Sequence, residues 1–313
     1  MIGLTLKHVR YFDALARHRH FGRAAASCAI SQPALSLQIK ELEVMMGAPL
    51  VERSTRALRL TPLGEAFLVR ARRVLGEVEE MGALVRAAEG PLSGPFRLGI
   101  ISTMAPYMLP QIMSALGARF PDLDVQPRES VTETLLTKLQ QAELDVAVLA
   151  LPVSEPGLRE FKLFDEDFVL VRARTDAALP VPDRAQLKEM RLLLLEEGHC
   201  FRDQALSFCD ISATQPSYMM EGSSLSTLVQ MVGAGMGVTL VPEMAVTQET
   251  QMADVSVSRL AAPAPKRTVG VVWRDSNPLS AKFMDVCAVL RQLHDGRVFR
   301  IGKRPEIETI STP

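Results

Sequence analysis

The sequence lacks the features that would mark a secreted, membrane-spanning or metal-dependent protein. It has four cysteines in 313 residues, 5% aromatic residues, and no apolar run of the ~18 residues that a membrane span requires. The first seven residues lack the apolar core of a secretory signal. His8, His18 and His20 do not have the spacing of metal ligands, and no Walker loop, serine elbow or paired acid–base set is present. We therefore expect a cytoplasmic protein without membrane association, metal or cofactor, and not an enzyme.

Positive charge is concentrated at the N-terminal end. Residues 1–60 carry nine Lys or Arg against four Asp or Glu, a net charge of +5, whereas residues 61–313 carry 26 against 32, a net charge of −6. A basic segment before an acidic remainder favours contact with a polyanion at the N-terminal end. The length and the hydrophobic content of 47% also allow two or three domains with packed cores.

Residues 1–61 predict a winged helix-turn-helix domain of three short helices and a two-stranded wing at 50–53 and 57–60. The third helix begins after a Ser31 N-cap and ends at Gly47. Its apolar stripe leaves a polar face that fits the major groove of DNA. The predicted DNA contacts are Gln32, Pro33, Ser36, Leu37 and Lys40 on that helix, with Arg53 and Arg56 on the wing. A helical hairpin with a solvated polar face has the same spacing and stays an alternative at this point.

The remaining chain predicts a linker helix and an α/β region. Apolar residues at 71, 74, 78, 81, 85 and 88 alternate at spacings of three and four, which favours a dimerising helix at 62–89 over packing on its own domain. A Gly/Pro-rich hinge follows at 90–95. Alternating strands and helices, with two short strands near 161–164 and 168–172, then predict a two-lobed domain at 96–300 with a ligand cleft between the lobes. Lobe I covers about 96–165 and 268–300, lobe II about 166–267, and residues 301–313 form a mobile tail.

Two cysteines lie at the ends of a predicted helix at 200–209. A helix N-terminus and nearby cations, here Arg202 and His199, favour a thiolate at Cys200. A thiolate attacks the O–O bond of a peroxide, and the resulting sulfenic acid condenses with a second thiol such as Cys209. Nine helical residues span ~13.5 Å, whereas a disulfide requires Cα atoms within roughly 7 Å. Oxidation of the pair would therefore unwind the helix. Two inert core cysteines are the alternative, and spacing alone favours it. We expect the other two cysteines, Cys28 and Cys287, to lie in cores.

The N-terminal region resembles the LysR-type transcriptional regulators. The matching runs are FGRAAA at 21–26, SQPALSLQIKELE at 31–43, GAPLVER at 47–53 and LTPLG at 60–64. The resemblance implies a winged helix-turn-helix, a dimerising linker helix and a two-lobed effector domain like that of periplasmic binding proteins. It also implies a homotetramer, a dimer of dimers, that binds promoter DNA in the bacterial nucleoid and contacts RNA polymerase.

The sensing region is similar to the peroxide-sensing members of that family. The runs that carry the similarity are GHCFRDQA at 198–205, GIISTMAPYMLP at 99–110, LFDE at 163–166 and GAGMGVTLVP at 233–242. The resemblance implies that Cys200 is the peroxidatic thiol and Cys209 the resolving one, and that cellular thiols reduce the disulfide. It places Thr103, Thr132, His199, Arg202 and Arg267 around the peroxide or the thiolate. The function implied is activation of antioxidant genes in response to hydrogen peroxide.

Two other functions remain as alternatives at this point. A LysR-type regulator could instead bind an anionic or aromatic metabolite in the inter-lobe cleft near Ser102, Thr103 and Thr132, with the cysteines incidental. A thiol peroxidase could use the same cysteine pair, but it would leave residues 1–61 without a role.

Overall fold

The computed structural model describes residues 3–53, 58–88, 90–209 and 219–293. The tail predicted at 301–313 lies outside these ranges. The chain divides into two units, one formed by residues 1–89 with 140–143 and the other by residues 90–139 and 144–313. Within the described residues, no helix is both long enough and apolar enough to cross a membrane.

The described residues of the first unit form four helices and a two-stranded wing. In chain order its elements are α1 (Leu6–His18), α2 (Phe21–Ser27), α3 (Gln32–Met46), β1 (Val51–Arg53), β2 (Leu58–Leu60) and α4 (Pro62–Ala88). The predicted caps are confirmed. The Ser31 side chain accepts a hydrogen bond from the Ala34 amide, and Gly47 ends α3 at φ +71°. The Thr61 hydroxyl accepts from the Gly64 amide at 2.9 Å and begins α4.

Side chains from α1, α2, α3 and α4 form the core of this unit. Its fully buried members include Phe12, Leu15, Ala24, Leu35, Ile39 and Leu42. Three side-chain contacts fix the neighbouring elements. The rings of Phe12 and Phe67 meet edge to face at 5.2 Å, and Arg72 Nε donates to buried Asp13 at 3.0 Å, which ties α4 to α1. Glu43 on α3 accepts the first amides of the wing, from Leu50 and Val51.

The wing and the linker helix follow the predicted pattern where they are described. β1 and β2 pair antiparallel, with Val51 opposite Leu60. The predicted seam of α4 includes Val74, which is 45% exposed, and Met81, which is 65% exposed, whereas Ala71 is buried. The side chains at seam positions 85 and 88 lie outside the described set. Exposed apolar residues on a helix of 27 residues leave a face that a second chain can cover.

The second unit is a mixed α/β domain. In chain order its elements are β3 (Gly94–Ile101), α5 (Ala105–Arg119), β4 (Leu123–Ser130), α6 (Thr132–Gln140), β5 (Val146–Leu151), β6 (Leu158–Ala173), α7 (Arg184–Glu189), β7 (Leu192–Leu195), α8 (Cys200–Cys209), β8 (Met219–Gly222), α9 (Leu225–Gly233), β9 (Thr239–Pro242), α10 (Glu243–Glu249), β10 (Val255–Arg259), β11 (Lys266–Arg274) and α11 (Ser280–Gln292). Seven strands form one sheet in the order β10-β6-β11-β5-β3-β4, with β9 also paired to β6, and β7 pairs with β8 separately.

Strand β6 joins the two parts of this sheet. Residues 158–167 pair with β11, whereas residues 168–173 pair with β9 and β10. The prediction of two short strands near 161–164 and 168–172 is therefore wrong, because β6 is continuous from Leu158 to Ala173. The charged run at 165–167 suggested a break, but Glu166 points inward and pairs with Arg267 directly across on β11. The lobe boundaries predicted at 165/166 and 267/268 fall inside these two strands.

The prediction for Cys28 is wrong as well, because that residue is half-buried at the C-cap of α2 instead of lying in the core. Cys287 is fully buried in α11, as predicted.

Gly64 gives a test of the joint between the wing and α4. A Cβ atom at this position would overlap the backbone carbonyl oxygen of Leu50, which cannot move without disturbing β1. We expect Gly64→Ala to lower the free energy of unfolding of the first unit by about 1–3 kcal/mol. Calorimetry on the full chain would measure it. The control is Gly117→Ala on α5, where a Cβ meets nothing within 4 Å; equal effects of the two substitutions would contradict the close packing inferred at this joint.

Candidate functional site

Helix α8 begins at Cys200 because of a sharp turn after a buried strand. All four residues of β7 are buried, and the chain then turns through Gly198 at φ +92°, a backbone conformation that favours glycine. Cys200 follows as the first helical residue and is half-buried. The first amides of a helix have no partner within it and carry partial positive charge. Cys200 therefore lies at the end of α8 that is favourable for negative charge.

Arg202 anchors the start of α8. Its side chain is buried and donates from Nη1 to the Leu195 carbonyl oxygen at 2.9 Å and to Glu221 Oε1 at 2.6 Å. One turn of helix is thereby tied to β7 and β8. Phe201 also fixes this turn by packing edge to face on Phe168 of β6 at 4.8 Å. The contacts of Arg202 are with those oxygen atoms, so a role of its charge at the Cys200 sulfur remains a prediction.

Cys209 is the last residue of α8 and is fully buried in an apolar core. Burial raises the pKa of its thiol to about 11, opposed by the nearby Arg184 guanidinium. Arg184 on α7 donates to the Ser207 carbonyl oxygen at 3.1 Å and lies over the Phe208 ring. Both cysteines are free thiols. The structure therefore confirms the predicted helix bounds and places the two sulfur atoms at opposite ends of one ten-residue helix.

A cavity of about 400 Å³ lies beside the start of α8. It is lined mainly by hydroxyl and carboxylate side chains: Ser102, Thr103, Pro106, Tyr107, Glu129, Ser130, Val131, Leu195, His199, Ser223, Ser224, Leu225, Ser226 and Glu249. Val131, His199 and Ser224 directly precede α6, α8 and α9, and Thr103 lies two residues before α5. Four helix N-termini thus meet at this cavity. Cys200 and Thr132 each follow a lining residue but do not line it themselves.

The predicted peroxide environment is brought together only in part. Thr103 and His199 line the cavity, and burial lowers the pKa of His199, opposed by Glu196. Thr132 Oγ1 is buried and has no hydrogen-bond partner among the described residues. Val131, beside Thr132, lies against Gly198 at 3.7 Å measured from an ideal Cβ. Thr132 is the first residue of α6, and the start of that helix therefore lies next to the turn that leads into Cys200.

Arg267 contacts Thr103 and Glu166. Its guanidinium is fully buried and donates from Nη1 to Thr103 Oγ1 at 3.0 Å and from Nε to Glu166 Oε2 at 2.7 Å. The predicted contact of Arg267 with the Cys200 thiolate is not among these interactions and stays a prediction. Glu166 was not predicted as a site residue, because a carboxylate between two apolar stretches looks like a break in a strand.

Tyr107, Ser226 and Glu249 were also not predicted as site residues. Tyr107 Oη on α5 donates to Glu249 Oε1 at 2.6 Å, and Ser226 Oγ donates to Glu249 Oε2 at 2.5 Å. Burial and the neighbouring Glu249 raise the pKa of Tyr107 well above its usual range. These residues are separated by up to 142 positions in the sequence, so no local pattern could have indicated that they meet at one cavity.

The predicted DNA-contacting face of α3 is accessible. Gln32, Pro33, Leu37 and Lys40 are exposed and Ser36 is half-buried. On the opposite side of the helix, Leu35, Ile39 and Leu42 are buried. Arg53 is the last residue of β1, and Arg56 lies outside the described residues. Among the described residues, no group of His, Cys, Asp and Glu has the arrangement of a metal site.

Two family models together match most of the chain. The model described as "Bacterial regulatory helix-turn-helix protein, lysR family" matches residues 6–65, and the model described as "LysR substrate binding domain" matches residues 89–295. The chain belongs to the LysR family. It is therefore a transcription regulator with a DNA-binding helix-turn-helix and a two-lobed regulatory domain, as the sequence resemblance implied.

Individual relatives within the LysR family carry names that refer to hydrogen peroxide or to OxyR. A protein of Streptomyces viridosporus named "Probable hydrogen peroxide-inducible genes activator" is 42% identical over 296 residues, covering 92% of this chain and 94% of that protein. A full-length OxyR variant of Pseudomonas aeruginosa superposes with a TM-score of 0.74 at 36% identity, covering 93% of this chain and 96% of that chain. An OxyR mutant of Corynebacterium glutamicum, described as bound to hydrogen peroxide, gives a TM-score of 0.63 at 36% identity and covers 92% of each chain.

Replacing the Thr132 hydroxyl tests whether a buried polar atom at this site lowers the free energy of unfolding of the protein. Replacing it by a methyl group removes a buried polar atom that has no partner among the described residues, so we expect Thr132→Val to raise the free energy of unfolding by about 1 kcal/mol. The control is Thr239→Val, because the buried Thr239 hydroxyl donates to the Leu193 carbonyl oxygen at 2.8 Å. The free energy of unfolding of that variant should be about 1 kcal/mol lower than that of the wild type. Urea denaturation would measure both free energies of unfolding. A decrease in Thr132→Val equal to that in Thr239→Val would contradict the inference that the Thr132 hydroxyl has no hydrogen-bond partner among the described residues.

The buried thiol of Cys209 should be inert in the reduced protein. With its pKa raised to about 11, only about one molecule in a thousand carries the thiolate at pH 8. We expect brief iodoacetamide treatment of Cys200→Ser protein at pH 8 to leave Cys209 unmodified, and modification to rise as the pH approaches 11. Mass spectrometry would measure it, with urea-unfolded protein as the control. Rapid labelling of folded protein at pH 8 would show that Cys209 is not buried.

Proposed function

We propose that this LysR-family regulator senses hydrogen peroxide by oxidation of Cys200 and disulfide formation with Cys209, and thereby alters its contacts with promoter DNA. The observation that carries the proposal is the placement of two free thiols at the two ends of α8. Two relatives described as OxyR and one named for peroxide-inducible genes support the same signal. The proposed response is activation of antioxidant genes in the cytoplasm.

The redox steps balance with peroxide as the only oxidant. The Cys200 thiolate attacks one oxygen of hydrogen peroxide, an S–O bond forms, the O–O bond breaks, and the leaving hydroxide takes up a proton to become water. The Cys209 sulfur, losing its proton, then attacks the sulfur of the Cys200 sulfenic acid. An S–S bond forms, the S–O bond breaks, and a second water leaves. Cellular thiols reverse the reaction by thiol–disulfide exchange.

Three polar side chains are assigned to the first of these steps. Thr103 and His199 line the cavity beside α8, and Thr132 carries a buried hydroxyl without a partner among the described residues. A buried polar group without a protein partner suits the binding of a small polar molecule. We assign these residues to hold peroxide, or the water that replaces it, next to the Cys200 sulfur.

The second step couples the chemistry to the shape of the domain. With α8 intact, the cysteine Cα atoms are ~13.5 Å apart, and a disulfide brings them within roughly 7 Å. The contacts of Phe201, Arg202 and Cys209 with the surrounding strands are then lost or rearranged. The proposed consequence is a change in the packing of subunits in a homotetramer, a dimer of dimers joined in part through the exposed apolar face of α4. In this proposal, the positions of the α3 helices on promoter DNA and the contact with RNA polymerase change together with the packing of the subunits.

A second candidate function is favoured by the size of the cavity. About 400 Å³ is more than ten times the ~30 Å³ that one water occupies in the liquid, far beyond the need of one peroxide. The four helix N-termini at its wall suit an anion. A LysR-family regulator that responds to a small anionic effector bound there fits these observations. Calorimetry with metabolites and thiol trapping after peroxide treatment separate the two candidates.

The cysteine variants test the peroxide proposal. We expect wild-type protein to change its promoter footprint after stoichiometric peroxide. Cys200→Ser should lose that change completely, because the attacking sulfur is gone. Cys209→Ser should accumulate sulfenic acid at Cys200 without forming a disulfide, as measured by mass spectrometry of trapped thiols. Cys28→Ser is the matched control and should respond like wild type.

Two outcomes would contradict the proposal. A footprint response that survives in Cys200→Ser would refute the sensor role of this thiol. Steady turnover of many equivalents of peroxide with a thiol reductant would indicate a thiol peroxidase instead of a sensor that is oxidised once.

A further inference from the structure

Glu166 lies behind the cavity wall and does not line it. It is 7% exposed and stands on β6, directly opposite Arg267 on β11. Its two carboxylate oxygens have different partners. Oε2 accepts from Arg267 Nε at 2.7 Å, and Oε1 accepts from the Met244 amide, in the first turn of α10, at 2.8 Å. The carboxylate is thus fixed at both oxygens, and it fixes one edge of the guanidinium.

The opposite edge of the guanidinium holds Thr103. Arg267 Nη1 donates to the Thr103 hydroxyl at 3.0 Å, and Nη2 donates to the Thr103 carbonyl oxygen at 3.4 Å. The Arg267 side chain is fully buried. A buried guanidinium without a carboxylate would be strongly unfavourable, so Glu166 is what allows Arg267 to remain in this position.

The direction of these hydrogen bonds determines what Thr103 can do. All N–H groups of arginine are donors, so the Thr103 oxygen is an acceptor in the bond from Arg267. Its own hydrogen must then be donated elsewhere, and the contacts among described residues give it no acceptor. Thr103 also lines the cavity. Its hydrogen is therefore available to an acceptor in the cavity.

We propose that Glu166 is a positioning residue for the peroxide reaction: through Arg267 it fixes the Thr103 hydroxyl as a hydrogen-bond donor toward peroxide. This inference rests on the proposed function. When the Cys200 thiolate attacks, the S–O bond forms, the O–O bond breaks, and negative charge develops on the leaving oxygen. A fixed donor at that oxygen lowers the barrier, because it stabilises charge that is greater in the transition state than in bound peroxide.

The test compares two reactions of the same thiol. The rate of Cys200 oxidation by hydrogen peroxide depends on the Thr103 donor, whereas the rate of its alkylation by iodoacetamide depends on the thiolate and its accessibility. In the full-length protein, we expect Glu166→Gln to lower the peroxide rate about tenfold and to leave the alkylation rate within about twofold. Glu166→Asp, which keeps the charge on a shorter side chain, should recover part of the peroxide rate. Asp165→Asn is the matched control, since Asp165 is exposed on the other face of β6 and binds Lys162 and Thr268; it should react like wild type.

A double variant makes the test specific for Thr103. In a Thr103→Val background the donor is absent, so adding Glu166→Gln should lower the peroxide rate no further. An additional loss in that background would overturn the inference, as would an unchanged peroxide rate in Glu166→Gln or an equal fall of both rates. Should Glu166→Gln fail to fold, a wild-type peroxide rate in Glu166→Asp would overturn it instead. Absence of Cys200 oxidation in the wild-type protein would refute the proposed function itself, an outcome separate from all of these.

Discussion

The distance along one short helix is the constraint on which the proposed switch depends. Cys200 and Cys209 are the first and last residues of α8, and a rise of ~1.5 Å per residue keeps them well beyond the reach of a disulfide. The two states of the cysteines therefore cannot share one backbone conformation. In the proposed switch, oxidation of a single sulfur atom leads to a change in the fold because the intact helix is incompatible with the disulfide bond.

The surroundings of α8 make the two cysteines chemically unlike each other. Cys200 is half-buried at the favourable end of the helix dipole, next to a polar cavity. Cys209 is enclosed in the apolar core, where burial raises the pKa of its thiol to about 11. Only Cys200 is partly exposed while the helix is intact. In the proposed mechanism Cys209 becomes available when the helix opens, so burial sets the order of the two proposed steps.

Much of the fold was accessible from the sequence because it depends on local patterns. The Ser31 cap of α3 is a side chain that accepts from an amide three residues on, the Gly47 cap is a glycine with a left-handed backbone, and α8 begins and ends where predicted. What the sequence could not indicate is pairing over long distances. The ion pair of Glu166 with Arg267 joins residues 101 positions apart, and without it the charged run in β6 predicts a break. The functional roles of Thr132 and Arg267 remain predictions.

Hydrogen–deuterium exchange of the amides in residues 203–209 tests the central claim most directly. In the reduced protein these amides belong to a helix anchored by Phe201, Arg202 and the buried Cys209, so exchange should be slow. After peroxide treatment and formation of the Cys200–Cys209 disulfide, the same amides should exchange many times faster. Equal protection in the two forms would show that the helix survives the bond, and α8 could not then be the element that converts oxidation into a change of shape.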